Sequence, residues 1–203
     1  MSNKLSFGMI ESPWHKRLSY SARPIFDLFS HVAASRIDGY NYERVIGPAS
    51  FKEVLTVQLR QKLEFVLVSC HGERGDLIFL HSHERVSAVS IKSIINNANY
   101  CPVGFFVDAC EFSTYSNAKN ILSTGVTWFA SFKKEVEWLE SASFVLLFYT
   151  TFHELLGQTT TERSRIKRTM KILRTCCPGL IKKLGFHLYI RESRNRIVDL
   201  ARL

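Results

Sequence analysis

A chain of 203 residues can close one full-sized hydrophobic core and needs only one. Its 46% apolar and 22% charged residues exclude a disordered or fibrous chain, and its longest apolar run, Phe144 to Tyr149, is far short of the ~20 residues that span a bilayer. The net charge of +9 sits entirely in residues 162–203, with 12 basic and 3 acidic side chains, because residues 1–161 carry 15 of each. In chain order, LSFGMIE (5–11) predicts a first strand, broken by Ser12-Pro13, and 23–35 a helix with Pro24 near its start. NYERVI (41–46) predicts a strand, and 50–62 a helix with Ser50 as N-cap and Glu53 completing a capping box. EFVLVSC (64–70) predicts a strand apolar on both faces, and GDLIFLH a short hairpin excursion. A helix over 87–99 leads to VGFFVDAC (103–110), again apolar on both faces, and TGVTWFASF (124–132) is a third such strand. Helices over 135–156 and 160–175 follow, the second basic and ended by Cys177-Pro178-Gly179, and FHLYIRE (186–192) predicts a last strand.

Two-sided apolar strands separated by helices imply an α/β fold, a three-layer α/β/α sandwich around a mostly parallel sheet of about six strands. The whole chain, 1–203, reads as one domain without repeats or linkers. In such folds the chemistry gathers where the strands end. The N-terminus has a lone Lys4, no long apolar core and no small-residue cleavage site, so a signal peptide is not expected. Five cysteines, an odd number, argue against a disulfide framework and for a reducing, cytoplasmic compartment. His81 and His83 lack a partner pair at finger-like spacing and Cys176-Cys177 are adjacent, so no metal or organic cofactor is expected.

Two strand ends carry the residue types that covalent hydrolysis needs. FVLVSCHGE places His71-Gly72 just past one buried strand, and GFFVDACEFS places Asp108 and Cys110 at the end of the next. With one helix between them the strands can be neighbours, so His71 and Cys110, 39 positions apart, can face each other. A thiol attacks as its thiolate, and an imidazole beside it can take the proton and return it to the leaving amine. Gly72, with no Cβ in the way, can offer its N–H with that of Cys110 to a developing oxyanion. Taken singly, a cysteine at a strand end is more often a small buried hydrophobe, and a His-Gly pair more often a turn. Cys70 should point away from His71 by strand alternation, and Cys101 lies at the opposite end of its strand.

In this order the motifs resemble those of the caspase-like cysteine peptidases, especially the small prokaryotic caspase-like and CHAT-type proteins of bacterial defence and cell-death systems. His71-Gly72 and Cys110 match the two catalytic strand ends, and VTWFAS followed by VEWLES, with Trp138 and Ser141, resembles the specificity strand and the helix after it. IESPW with its following helix fits the first strand-helix unit, so the resemblance covers most of residues 5–192. It implies an endopeptidase with a Cys110–His71 dyad that cuts a partner protein, and a substrate pocket near Ser131. The signature reads Asp-Ala-Cys-Glu-Phe and the loop after Ser131 is short, so the aspartate-directed cleavage of animal caspases is not expected. The similar metacaspases and gingipains have an acid two residues before the nucleophile, here Asp108, and cut after Arg or Lys. Alternation turns Asp108 to the face of Cys110, and Glu11 and Glu135 would extend a negative wall. Alternatively, Asp108 accepts backbone hydrogen bonds or pairs with a residue such as Arg74.

The 162–203 segment has several readings. It can be a solvated face, or it can meet an acidic or regulatory protein partner, an anionic membrane surface or nucleic acid. Nucleic acid is the weakest of these, since charge alone supports it. If the segment recruits an acidic partner, Arg163, Arg165, Lys167 and Arg168 are the cations expected to do so. A catalytically silent caspase-like module that binds through this segment is the alternative to an enzyme, although such a module would need neither His71 nor Cys110.

Overall fold

The computed structural model describes residues 5–13, 21–32, 37–80, 82–159, 161–193 and 196–202. His81, Trp14 and residues 33–35 of the expected first helix lie outside these. The chain opens with strand β1 (Leu5–Glu11), helix α1 (Arg23–Val32), β2 (Ile37–Arg44) and α2 (Pro48–Arg60). β3 (Phe65–Ser69) runs into a small antiparallel meander of β4 (His71–Glu73), β5 (Asp76–Ile78) and β6 (Arg85–Ser87). Then come α3 (Ala88–Asn97), β7 (Gly104–Asp108), α4 (Tyr115–Leu122), β8 (Trp128–Phe132) and α5 (Trp138–Glu154). α6 (Glu162–Cys176), α7 (Pro178–Leu184), β9 (Phe186–Ser193) and β10 (Arg196–Asp199) complete it.

The main sheet has seven strands in the order β10-β9-β8-β7-β3-β1-β2. β2, β1, β3, β7 and β8 are parallel, whereas β9 runs antiparallel to β8 and β10 antiparallel to β9. Alternation along the strands feeds two cores. Phe65, Leu67 and Phe106 point to one face and pack under α1, α5, α6 and α7. Val66, Val68, Phe105 and Val107 point to the other and pack under α2, α3 and α4. This is a three-layer α/β/α sandwich, with seven strands where the sequence suggested about six.

The differences from expectation have local causes. α2 begins at Pro48, not Ser50, because Gly47-Pro48 starts the helix and Ser50 sits at the third position, its Oγ accepting the Gly47 N–H at 3.3 Å. α4 escaped notice because its eight residues, YSNAKNIL, are mostly polar; the Thr114 Oγ1 accepts the Asn117 N–H at 3.0 Å and starts it. Pro178-Gly179 does not stop the chain's helical course, since Pro178 occupies the first position of α7. β10 is only four residues long, which gives no periodicity to read.

Candidate active site

The parallel strands end along one edge of the sheet, where register aligns Glu11 with Ser69 and Ser69 with Asp108. Past this row the chain of β3 continues through Cys70, whose N–H donates to the Asp108 carbonyl at 3.0 Å, into the β4–β5 hairpin. The two-residue turn of that hairpin is Arg74-Gly75, with φ of 52° and 88°, the left-handed pair that a tight hairpin of this twist requires. Three bonds fix it to the loop after β7. Glu111 Oε2 accepts the Arg74 N–H at 2.9 Å, and the Asn117 side-chain amide donates to the carbonyls of Gly75 (2.7 Å) and Phe112 (2.9 Å). Gly72 lies so close to the Cys110 backbone that an added Cβ would come within 2.0 Å of the Cys110 carbonyl oxygen. Only a residue without a side chain fits there.

His71, Gly72, Cys110, Glu135, Val136 and Glu137 line one cleft of about 500 Å³, closed on its far side by Glu140, Lys183 and Leu184. Lys183 and Glu140 form an ion pair across that side. The Cys110 sulfur accepts the Val136 N–H at 3.3 Å. Burial pushes its thiol above the ordinary value, the Val136 N–H opposes this, and the Asp108, Glu135 and Glu111 carboxylates raise it further. The group is therefore a thiol at rest and needs a base to become a nucleophile. The neighbouring Cys70 differs in kind: it is buried, its sulfur contacts the Ile78 carbonyl at 3.2 Å, and desolvation lifts its pKa to about 12.

The structure gathers His71, Gly72, Cys110 and Glu135 in this cleft and buries the other candidates below it. Asp108 is 1% exposed. Its Oδ2 accepts from the Ser69 hydroxyl at 3.0 Å, and Oδ1 has no hydrogen-bond partner. Desolvation raises its pKa to about 7, Ser141 and Ser69 pull the other way, and Glu11 adds to the rise. Ser141 belongs to α5 and Val136 to the segment leading into it, so Asp108 and Cys110 turn toward the same layer. No ion pair joins Asp108 to Arg74, which pairs with Glu73. Glu11 accepts from the Ser21 hydroxyl (2.6 Å), the Ala22 N–H (2.7 Å) and the Tyr42 hydroxyl (2.6 Å). Its carboxylate thus ties the start of α1 to the sheet. Ser131 is buried within β8, between Val107 and His187 on the flanking strands.

Sequence reasoning missed Asn117, Val136, Glu137 and Lys183. Their places depend on how separate segments dock, which no local pattern encodes. Three of the four cations singled out in the basic segment have partners within the chain. Arg165 is packed over the Phe152 ring and bonded to Glu162 at 2.5 Å, Arg163 donates to the Arg191 carbonyl, and Lys167 pairs with Glu192 at 3.4 Å. These three are engaged within the fold, because one face of α6 lies on the core and its flanks on β9. Among the described residues no group of three or more His, Cys, Asp or Glu side chains could hold a metal, and no helix is long and apolar enough to cross a membrane.

No family model matches the sequence, and no curated protein sequence matches it. Solved structures do match in shape. A secreted cysteine protease from Bacteroides thetaiotaomicron, iotapain, superposes with a TM-score of 0.58 at 11% identity, covering 92% of this chain and 66% of that one. The Arg specific cysteine proteinase gingipain R gives 0.54 at 12% identity, over 90% of this chain and 45% of the other. A complex of the pro- and mature domains of a Porphyromonas gingivalis gingipain gives 0.53 at 11% identity, over 90% and 46%. The chain thus spans just under two thirds of iotapain and less than half of the gingipains. Its three-layer sandwich is the caspase-hemoglobinase fold of these cysteine proteases.

Proposed function

We propose that the protein is a cysteine endopeptidase in which Cys110 is the nucleophile and His71 its proton-transfer partner. The observation that carries this reading is that His71 and Cys110 line one open cleft, with Gly72 packed on the Cys110 backbone, at the edge where parallel sheets hold their chemistry. His71 takes the Cys110 proton as sulfur attacks the scissile carbonyl. The N–H groups of Gly72 and Cys110 hold the oxyanion, and the imidazolium returns the proton to the departing amine. Water then enters, His71 removes its proton, and hydrolysis of the thioester restores the thiol.

Cleavage after Arg or Lys is the specificity this reading carries. Glu135 and Glu137 border the cleft as exposed carboxylates, and the fold neighbour gingipain R is named Arg specific. Asp108 would add its charge once a substrate cation reached it, since a buried carboxylate gains most from a partner of opposite sign. Five unpaired thiols support a cytoplasmic setting, although iotapain is a secreted protein. A place in bacterial defence rests on the sequence resemblance alone.

The test is turnover of a peptide library with three variants. Cys110→Ala and His71→Ala should each lower kcat/KM by a factor on the order of 10³ or more, and Cys70→Ala should retain activity. Parent-like activity in Cys110→Ala would overturn the assignment.

A further inference from the structure

Beside the cleft lies a second, larger groove of about 700 Å³, lined by the cations Lys133, Lys134, Arg174, Lys182 and Arg202 and by no Asp or Glu. Its floor is apolar, with Ile181 and Phe186 beneath. The five cations come from four separate places in the chain, so the cluster is a product of folding and not of one charged run. Lys134 donates to the Lys182 carbonyl at 2.9 Å, and Arg202 pairs with Asp199 at 3.4 Å, which also holds His187. Lys133, Arg174 and Lys182 form no ion pair among the described residues. Beyond Arg174 a further hollow carries Lys171, beside Lys167 with its Glu192 partner, so Lys171 extends the positive surface along α6. Like charges converging on one concavity repel one another, and an anionic ligand relieves that repulsion.

Lys134 and Lys182 of the groove are adjacent in sequence to Glu135 and Lys183 of the cleft, and α7 borders both. Across that ridge the charge reverses, from Glu135 and Glu137 in the cleft, where Lys183 already pairs with Glu140, to cations in the groove. A polypeptide lying across both would need a basic or neutral residue at Cys110 and acidic residues a short distance away. A helix is about 10 Å wide and an extended chain advances about 3.3 Å per residue, so the offset is roughly three to five residues.

We propose that this groove is a docking exosite for an acidic segment of the protein substrate, flanking the cleavage site. The proposal rests on the endopeptidase reading for its placement, but binding to the groove does not depend on catalysis. Single-stranded nucleic acid is the less favoured ligand, because the aromatic rings lining the groove, Phe186 and His187, are buried and offer no stacking face.

The experiment uses the full chain carrying Cys110→Ala and measures fluorescence anisotropy of a labelled hexaglutamate peptide, with an oligothymidylate of equal charge as rival. The peptide should bind, more tightly than the oligonucleotide, and should weaken about tenfold between about 50 mM and about 200 mM NaCl as exposed charges are screened. Arg174→Gln with Lys182→Gln, both exposed positions, should weaken it about fivefold further at low salt. No peptide binding, preference for the oligonucleotide, or binding indifferent to the double substitution would each overturn the exosite. Because turnover is never measured, failure here leaves the Cys110–His71 reading to its own test.

Discussion

Asp108 is a carboxylate held at the end of a core strand with one oxygen bonded to Ser69 and the other without a partner. Burial raises its pKa from 3.8 to about 7, so the folded protein holds a proton there that the unfolded chain has already released. The stabilising contribution of the protonated form is complete below about pH 4 and is lost as pH rises through 7. Asp108→Asn, which cannot ionise, should therefore be more stable than the parent at pH 8, by on the order of 3 kcal/mol, with the difference closing toward pH 4. Thermal denaturation across that range checks it. Equal stability at pH 8 would mean that the carboxylate is ionised and paired. Strand alternation made Asp108 legible as a residue on the Cys110 side; its enclosure was not legible, because Ser141 covers it from a helix 33 positions later.

At the scale of elements, the site depends on holding a three-residue strand, β4, against the loop after β7. β4 is too short to fix itself, and its edge of the small meander has only β5 as a neighbour. Asn117, on α4, reaches both sides of the junction with one amide and is 9% exposed. Asn117→Ala leaves the Gly75 and Phe112 carbonyls without that donor, at a cost of about 1–3 kcal/mol. Hydrogen exchange should speed up in residues 71–75 and not in α2, and kcat should fall more than KM rises, since the loss is one of alignment. Uniform exchange rates across both segments would contradict the role. The shared placement of His71 and Cys110 in one cleft could be read from the sequence because each follows a strand whose apolar run is unmistakable. Asn117 could not, because its donors serve carbonyls 42 and 5 positions away that only docking brings together.

Across the whole molecule the two cores are not equivalent with respect to the site. The layers were legible from two-sided apolar strands, but which helices cover which face depends on strand order, and α4, α7 and β10 lacked a pattern long enough to read. On the α5–α6–α7 side, the Phe186 ring lies 4.7 Å from Phe144, 5.8 Å from Phe106 and Phe132, and 6.1 Å from Phe148. The preceding Gly185 carbonyl accepts the Lys133 N–H at 2.8 Å, and the Lys134 carbonyl accepts the Glu111 N–H at 3.2 Å. Two residues on, Val136 gives its N–H to the Cys110 sulfur. The aromatic cluster thus anchors the segment whose N–H donates to the Cys110 sulfur. Phe186→Ala should cost about 3–5 kcal/mol, and Leu55→Ala in the opposite core about 2–5 kcal/mol. The two should differ in chemistry even at temperatures where both remain folded. Phe186→Ala loosens the 133–136 segment, so the Cys110 sulfur loses a donor that favours its thiolate, and alkylation by iodoacetamide should slow several-fold. Leu55→Ala, buried between α2 and the sheet, should leave that rate within about twofold of the parent. Mass spectrometry of the Cys110 peptide separates this thiol from Cys101, Cys176 and Cys177. Equal alkylation rates in both variants would mean that the segment keeps its place without the cluster beneath it.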